Sequence, residues 1–153
     1  MAITTAMCSS FKQELLGGVH DLDTDTLKLA LIRKDEAVGV GGGPTATYGA
    51  ATTNYSDVTG NSDEASGTGY SAGGGTLDSP AISLSGTTAF VDFADEAFSN
   101  VTVEASGCII YNSSQSNKAI AVFDFGGTVS ATSGTLTVQF PTADATNAVI
   151  RLT

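Results

Sequence analysis

Three aspartates, Asp21, Asp23 and Asp25, stand at the first, third and fifth positions of a calcium-loop spacing. An EF-hand loop also needs glycine at its sixth position for the sharp turn and a bidentate glutamate at its twelfth. Here those positions are Thr26 and Ile32. The triplet therefore reads as an acidic, solvated turn before a strand, and no metal is expected. His20 is the only histidine. A serine or cysteine nucleophile needs a base, and the base needs a group that orients it. Aspartates lie near His20, but there is no G-x-S-x-G elbow and Ser106-Gly107-Cys108 is not a nucleophile motif. A surface or helix-end histidine is the simpler expectation.

Two cysteines, Cys8 and Cys108, could form one disulfide or stay free. The expectation is a buried thiol at Cys108 and a half-buried one at Cys8. Two thiols and one imidazole do not define a zinc site by spacing. Asp92, Asp95 and Glu96 could mimic a catalytic carboxylate pair, but a strand-end acidic turn explains them. The glycine-rich stretches Gly41-Gly42-Gly43-Pro44 and Gly67-Thr68-Gly69 lack the following helix and lysine that a phosphate cradle requires. The sequons at Asn54, Asn100 and Asn112 read as chance matches in a Ser/Thr-rich chain. No cofactor and no enzymatic activity are expected.

The charge balance narrows the partners. Six basic residues against sixteen acidic ones give a net charge of −10. Nucleic-acid binding depends on Lys and Arg that displace counterions from phosphates, and Arg33-Lys34 is the only basic pair. Direct nucleic-acid binding is not expected, nor is attraction to an anionic membrane. No apolar run approaches the ~18 residues of a membrane span. The N-terminal MAITTAMCSSFKQE has neither a basic n-region nor an apolar h-region, so synthesis in the cytoplasm is expected.

The organising stretch is Val101 to Gly127. Gly107 to Tyr111 and Lys118 to Phe125 are β-type apolar runs, and the Ser/Asn/Gln segment between them is turn chemistry. Both faces of this hairpin are largely apolar, which places it inside the protein. Around it, Thr26 to Arg33 predicts a strand with Leu27, Leu29 and Leu31 on one face. Thr76 to Leu84 predicts a strand region, with Pro80 at an edge. Ala89, Val91 and Phe93 predict another strand, as do Leu136 and Val138, and Asn147 to Leu152 the last. Ser10, with Gln13 three residues on, predicts a capped helix over Phe11 to Leu16, stopped by Gly17-Gly18. Eight or so short strands without helices between them predict an all-β fold: an antiparallel β-sandwich, jelly-roll-like, with one short N-terminal helix. The chain should form a single domain over 1–153, with an N-terminal arm at 1–9 and a long Gly/Tyr-rich excursion at 37–75. Leu29, Leu31, Phe93, Ile110, Val122, Phe123, Leu136, Val138 and Ile150 should be core. Phe123→Ala should cost roughly 3–5 kcal/mol.

Several blocks together resemble a known family. They are FKQELLGGVHDLDTDTLKLALI, ATYGAATTNY, EASGTGYSAGGGTL, TTAFVDFADEAFSNVTVEASGCIIYN and KAIAVFDFGG, spanning about Ser9 to Gly127. They are similar to small virion structural proteins of tailed bacteriophages, and Ser66 to Leu77 and Gly107 to Gly127 carry most of the likeness. From Thr128 onward the match is weaker. The resemblance implies a capsid decoration or cement protein on the outside of the virion. It would bind between subunits of the major capsid protein, its partners including further copies of itself as a homo-oligomer. The arm residues Met1, Ala2 and Ile3 and the excursion tyrosines Tyr48, Tyr55 and Tyr70 are the candidate capsid or oligomer contacts. The rival reading is a tail or head-fibre component that binds host glycans by stacking exposed tyrosines on sugars.

Overall fold

A computed structural model describes residues 3–34 and 43–153. The fold is all-β, with two antiparallel sheets. The strands are β1 (Ala6–Met7), β2 (Leu27–Arg33), β3 (Gly75–Thr76), β4 (Ala81–Ser85), β5 (Thr88–Asp92), β6 (Glu96–Asn112), β7 (Lys118–Val138) and β8 (Ile150–Leu152). The larger sheet runs β1-β7-β6-β2-β3 and the smaller β4-β5-β8. No described helix is long and apolar enough to cross a membrane.

The β6–β7 hairpin is the spine. Its strands are 17 and 21 residues long, so β7 includes both the return run at Lys118 and the segment around Leu136 that reads as a separate strand in sequence. Strands this long must bend to stay on one core. Register shifts near Asn100, Ala105 and Ile110 allow the bend. Gly126 and Ser133 on β7, and Asn100 on β6, take φ values of +76°, +49° and +55°. The turn at Asn112 to Asn117 is a single 3-10 turn, Ser113–Gln115. Asn112 Oδ1 accepts from the Ser114 and Gln115 amides, and Ser116 and Asn117 are left-handed.

Both faces of β2 are buried, from Leu29 through Ile32, and so are Ile109, Ile110, Ile120 and Val122 beside it. Seven of the nine expected core residues are buried. Phe123 and Val138 are the exceptions, only partly buried against the core. Phe123 lies just before the hairpin leaves the packed layer. A partly buried ring leaves a smaller cavity when removed, so Phe123→Ala should cost toward the lower end of the roughly 3–5 kcal/mol expected.

The first helix, α1 (Ser9–Leu16), starts two residues earlier than expected, and the capping box does not form. Cys8 holds the cap position without a side-chain capping bond, and Ser10 Oγ is buried with no hydrogen-bond partner. Tertiary packing of Phe11 supplies what the cap does not. Leu16, at the helix C-terminus, is 93% exposed. A second helix, α2 (Ser56–Gly60), lies in the excursion. Asp57 Oδ2 accepts from the Thr53 and Asn54 amides at its start, and Val58 packs into the core. The Thr76–Leu84 region is two strands in different sheets. Asp78 to Pro80 make the change, with Ser79 at φ +55°.

Arm and excursion are built into the fold. Ile3 is buried and covers Gly107, the Thr4 amide donates to the Tyr48 carbonyl, and β1 pairs with β7. Met1 and Ala2, and the excursion residues before Gly43, lie outside the described residues.

Candidate assembly surface

Two carboxylates, one buried and one partly buried, hold the excursion. Asp63 accepts from the amides of Thr45 and Ala46 and from the hydroxyl of Tyr48 at 2.6 Å, and pairs with Arg33 Nε at 3.2 Å. Glu64 accepts from the hydroxyls of Tyr55 at 2.5 Å and Tyr70 at 3.0 Å and from the Gly73 amide at 2.7 Å. The Tyr70 hydroxyl also accepts from the Leu31 amide. Tyr55 stacks on Tyr111 with centroids 4.4 Å apart, and Tyr70 tilts against Phe98. Burial, with the neighbouring carboxylates, pushes all three excursion tyrosines above their ordinary pKa.

These contacts correct the expectation of exposed tyrosines. Tyr48 is 1% exposed, and Tyr55 and Tyr70 are packed against the core with their hydroxyls engaged. They fold the excursion onto β2 and β6, and offer no open platform for a sugar. Ile3 is likewise core rather than free surface.

His20 is buried, not at the surface. Its Nε2 lies 2.9 Å from Glu14 Oε2 and its Nδ1 3.0 Å from Asn112 Nδ2. Asn112 can only donate from its amide nitrogen, so Nδ1 accepts and Nε2 donates. Asn112 also donates to Asp25 at 2.6 Å, and Lys118 donates to Glu14 at 2.6 Å. With both ring nitrogens occupied, His20 ties α1 to the hairpin turn and has no lone pair left for a nucleophile. Asp21 accepts from amides of its own turn, and Asp25 is turned toward Asn112. Among the described residues no group of three His, Cys, Asp or Glu side chains is arranged to hold a metal. Cys8 and Cys108 are both free and buried. Asp95 accepts from the Phe140 amide, and burial, then Asp78, raises the Glu96 pKa.

The feature that sequence reading missed is an apolar cleft of about 400 Å³ between the α1–β2 connection and the smaller sheet. Leu15, His20 and Leu22 form one wall, and Ile82, Val91, Ile150 and Leu152 belong to the other. The sheet register explains it. Ile82, Val91 and Ile150 form one cross-strand row, and Leu84, Ala89 and Leu152 the next, on the same face. Val91 and Ile150 reach the core at 3% exposure. The row ends do not: Ile82, Leu84 and Leu152 are 56%, 72% and 44% exposed. Alternation marks these residues as an inward face, but only the register reveals that this face extends past the layer beneath it. A contiguous apolar rim of this kind marks an interaction site more often than a free surface. No protein-family model, curated protein or solved structure matches the chain.

Proposed function

We propose that the chain is a structural virion protein of tailed bacteriophages that decorates and cements the capsid by binding between major capsid subunits. The open apolar cleft, with its exposed rim at Ile82, Leu84 and Leu152, carries this reading. It is a ready contact on a protein whose charge-poor composition and net charge of −10 suit association with protein rather than DNA. The resemblance of Ser9 to Gly127 to small virion proteins points the same way. On this proposal the contact falls to the smaller sheet rather than to Ile3, Tyr48, Tyr55 and Tyr70, which are packed into the fold. Repeated weak contacts, multiplied over a shell, reinforce it by avidity. The rival glycan-binding reading loses its aromatic platform, since Tyr48, Tyr55 and Tyr70 are occupied inside the fold.

Co-sedimentation with empty expanded capsids of the encoding phage tests the proposal, beside a gel shift with duplex DNA. Wild type should pellet with shells and leave DNA unshifted. Leu152→Lys puts a charge at the cleft rim and should weaken pelleting while leaving the fold intact. Failure of wild type to bind shells, or a DNA shift, overturns the reading.

A further inference from the structure

Among the described residues the two sheets have four outer strands, and the far part of β7 is open as well, since β1 pairs only with Ala121 and Val122. That part of β7 is broken by left-handed Gly126 and Ser133 and by register shifts against β6, which twist an edge away from pairing. The outer strands are not equally protected. β1 and β3 are two residues long, and β8 is three residues long and carries Arg151. Short length and charge are the usual means by which an edge avoids pairing with another chain. β4 has neither. It is five residues long, Ala81-Ile82-Ser83-Leu84-Ser85, uncharged, and exposed at every position. Pro80 lies before it and leaves all five amides in place.

The ladder fixes which groups are unpaired. β4 and β5 join through the two-residue turn Gly86-Thr87, with Gly86 at φ +59° and Ser85 opposite Thr88. Such a tight hairpin closes on a hydrogen-bonded pair, and the pattern alternates from there. Ser85, Ser83 and Ala81 therefore bond inward to β5, while the N–H and C=O groups of Ile82 and Leu84 point to the open edge.

We propose that a second copy of this chain occupies this edge, β4 against β4, antiparallel about a two-fold axis through Ser83. That register is self-complementary. Ile82 of each copy stands opposite Leu84 of the other as a hydrogen-bonded pair, giving four new backbone hydrogen bonds, and Ser83 meets its own copy in the non-hydrogen-bonded position. Side chains directly opposite share a face. The row Ile150, Val91, Ile82 thus continues into Leu84, Ala89 and Leu152 of the other copy. The two-fold axis repeats it, so two wholly apolar rows cross a six-stranded sheet. A slip by one residue would put Ile82 and Leu84 against serine on the wrong face.

The shared edge is roughly 17 Å long, too short to bury on its own the ~800 Å² per partner of a stable interface. Dimerisation is accordingly concentration-dependent in solution and favoured where copies are held together. It holds whether or not the partner surface is a capsid.

Cysteine scanning of the edge tests the register, with the full chain. Directly opposed residues in the non-hydrogen-bonded position lie ~4.5 Å apart at Cα, within disulfide reach. Ile82 and Leu84 lie diagonally from their own copies, ~7–8 Å away. Ser83 is exposed, and both native thiols are buried. Under mild oxidation Ser83→Cys should give a disulfide-linked dimer several-fold faster than Ile82→Cys or Leu84→Cys. Adding Leu84→Lys to Ser83→Cys should remove that advantage, and circular dichroism should show all variants folded. Equal rates at the three positions, or no linked dimer from Ser83→Cys, overturns the proposal, even if sedimentation shows a dimer formed by another surface. Strand pairing with a capsid peptide instead of a second copy would appear as this same negative result.

Discussion

The hydroxyl of Tyr48 donates to Asp63 Oδ2 at 2.6 Å, and the Asp63 side chain is wholly out of solvent. Asp63 gathers donors from three other groups, the amides of Thr45 and Ala46 and the Thr45 hydroxyl, and forms an ion pair with the Arg33 guanidinium. A glycine-rich excursion with few apolar side chains is thereby fixed through a carboxylate rather than through burial of hydrocarbon.

That arrangement sets a pH dependence. Burial alone would raise the Asp63 pKa, but the hydrogen bonds from Tyr48, Thr45 and Ala46 together outweigh it and hold the carboxyl below its ordinary value. A folded-state pKa below the unfolded one means that the unfolded chain takes up the proton first as pH falls. The stabilisation is complete above the unfolded value, near 4, and is lost as pH drops through the folded value. Asp63→Asn should lower stability at neutral pH by about 1–3 kcal/mol and make it less sensitive to acid. Glu14 and Asp25 are also held low, by donors that outweigh burial, so the acid slope should shrink without vanishing. Urea titrations over a pH series measure this. An unchanged slope in Asp63→Asn would mean that the carboxylate is not the anchor.

How far this was legible in the sequence depends on which force holds each part. The alternation of Leu27, Leu29 and Leu31 and the runs at Cys108 to Tyr111 and Ala119 to Val122 report a packed sheet directly, and they are buried. The excursion has no such period, so Tyr48, Tyr55 and Tyr70 read as free surface. Its order comes from Asp57, Asp63 and Glu64 capturing amides and hydroxyls, which leaves little trace in hydropathy. One signal was readable: Asp57, three residues after Asn54 and just before Val58, has capping-box spacing and does accept from the Asn54 amide. The exposed row ends at Ile82, Leu84 and Leu152 were not readable. Their alternation matches that of a core face, and exposure depends on where the opposing layer ends.

The arm carries stability. Ile3 is 2% exposed and lies over Gly107, where a Cβ would come within 2.9 Å of its side chain. Ile3→Ala should cost about 2–5 kcal/mol. Removal of residues 1–7 should be more damaging still, because it also strips β1 from the edge of β7. Thermal melts would show it. An Ile3→Ala protein melting with wild type would return the arm to the surface.

Gly74 is set by a close approach. It has φ +68°, and a Cβ there would lie 1.8 Å from the Leu29 carbonyl oxygen, a backbone atom that cannot rotate away. The approach brings β3 onto β2, where Gly75 pairs with Leu29. Gly74→Ala should therefore destabilise more than the ~1 kcal/mol of a merely strained glycine site. Gly86→Ala is the control: its φ is also positive, but open space surrounds it. Equal losses at the two positions would mean that conformational strain, not the contact with β2, accounts for both.

The two thiols should be silent in the folded protein. Burial pushes the Cys8 pKa up to about 12, with Asp57 and Glu14 adding to the effect, and burial alone raises Cys108. The thiolate is the reactive species, and its population at neutral pH is then negligible at both sites. The Cys8 thiol also donates to the Gly49 carbonyl at 3.8 Å, where the arm meets the excursion. A disulfide-exchange reagent should therefore label neither cysteine in native conditions and both in denaturant. Reaction of Cys8 alone in native conditions would show that the arm opens while the hairpin around Cys108 stays closed. Its rate would then measure how often Ile3 and β1 leave the core, which the Ile3→Ala melt tests from the equilibrium side.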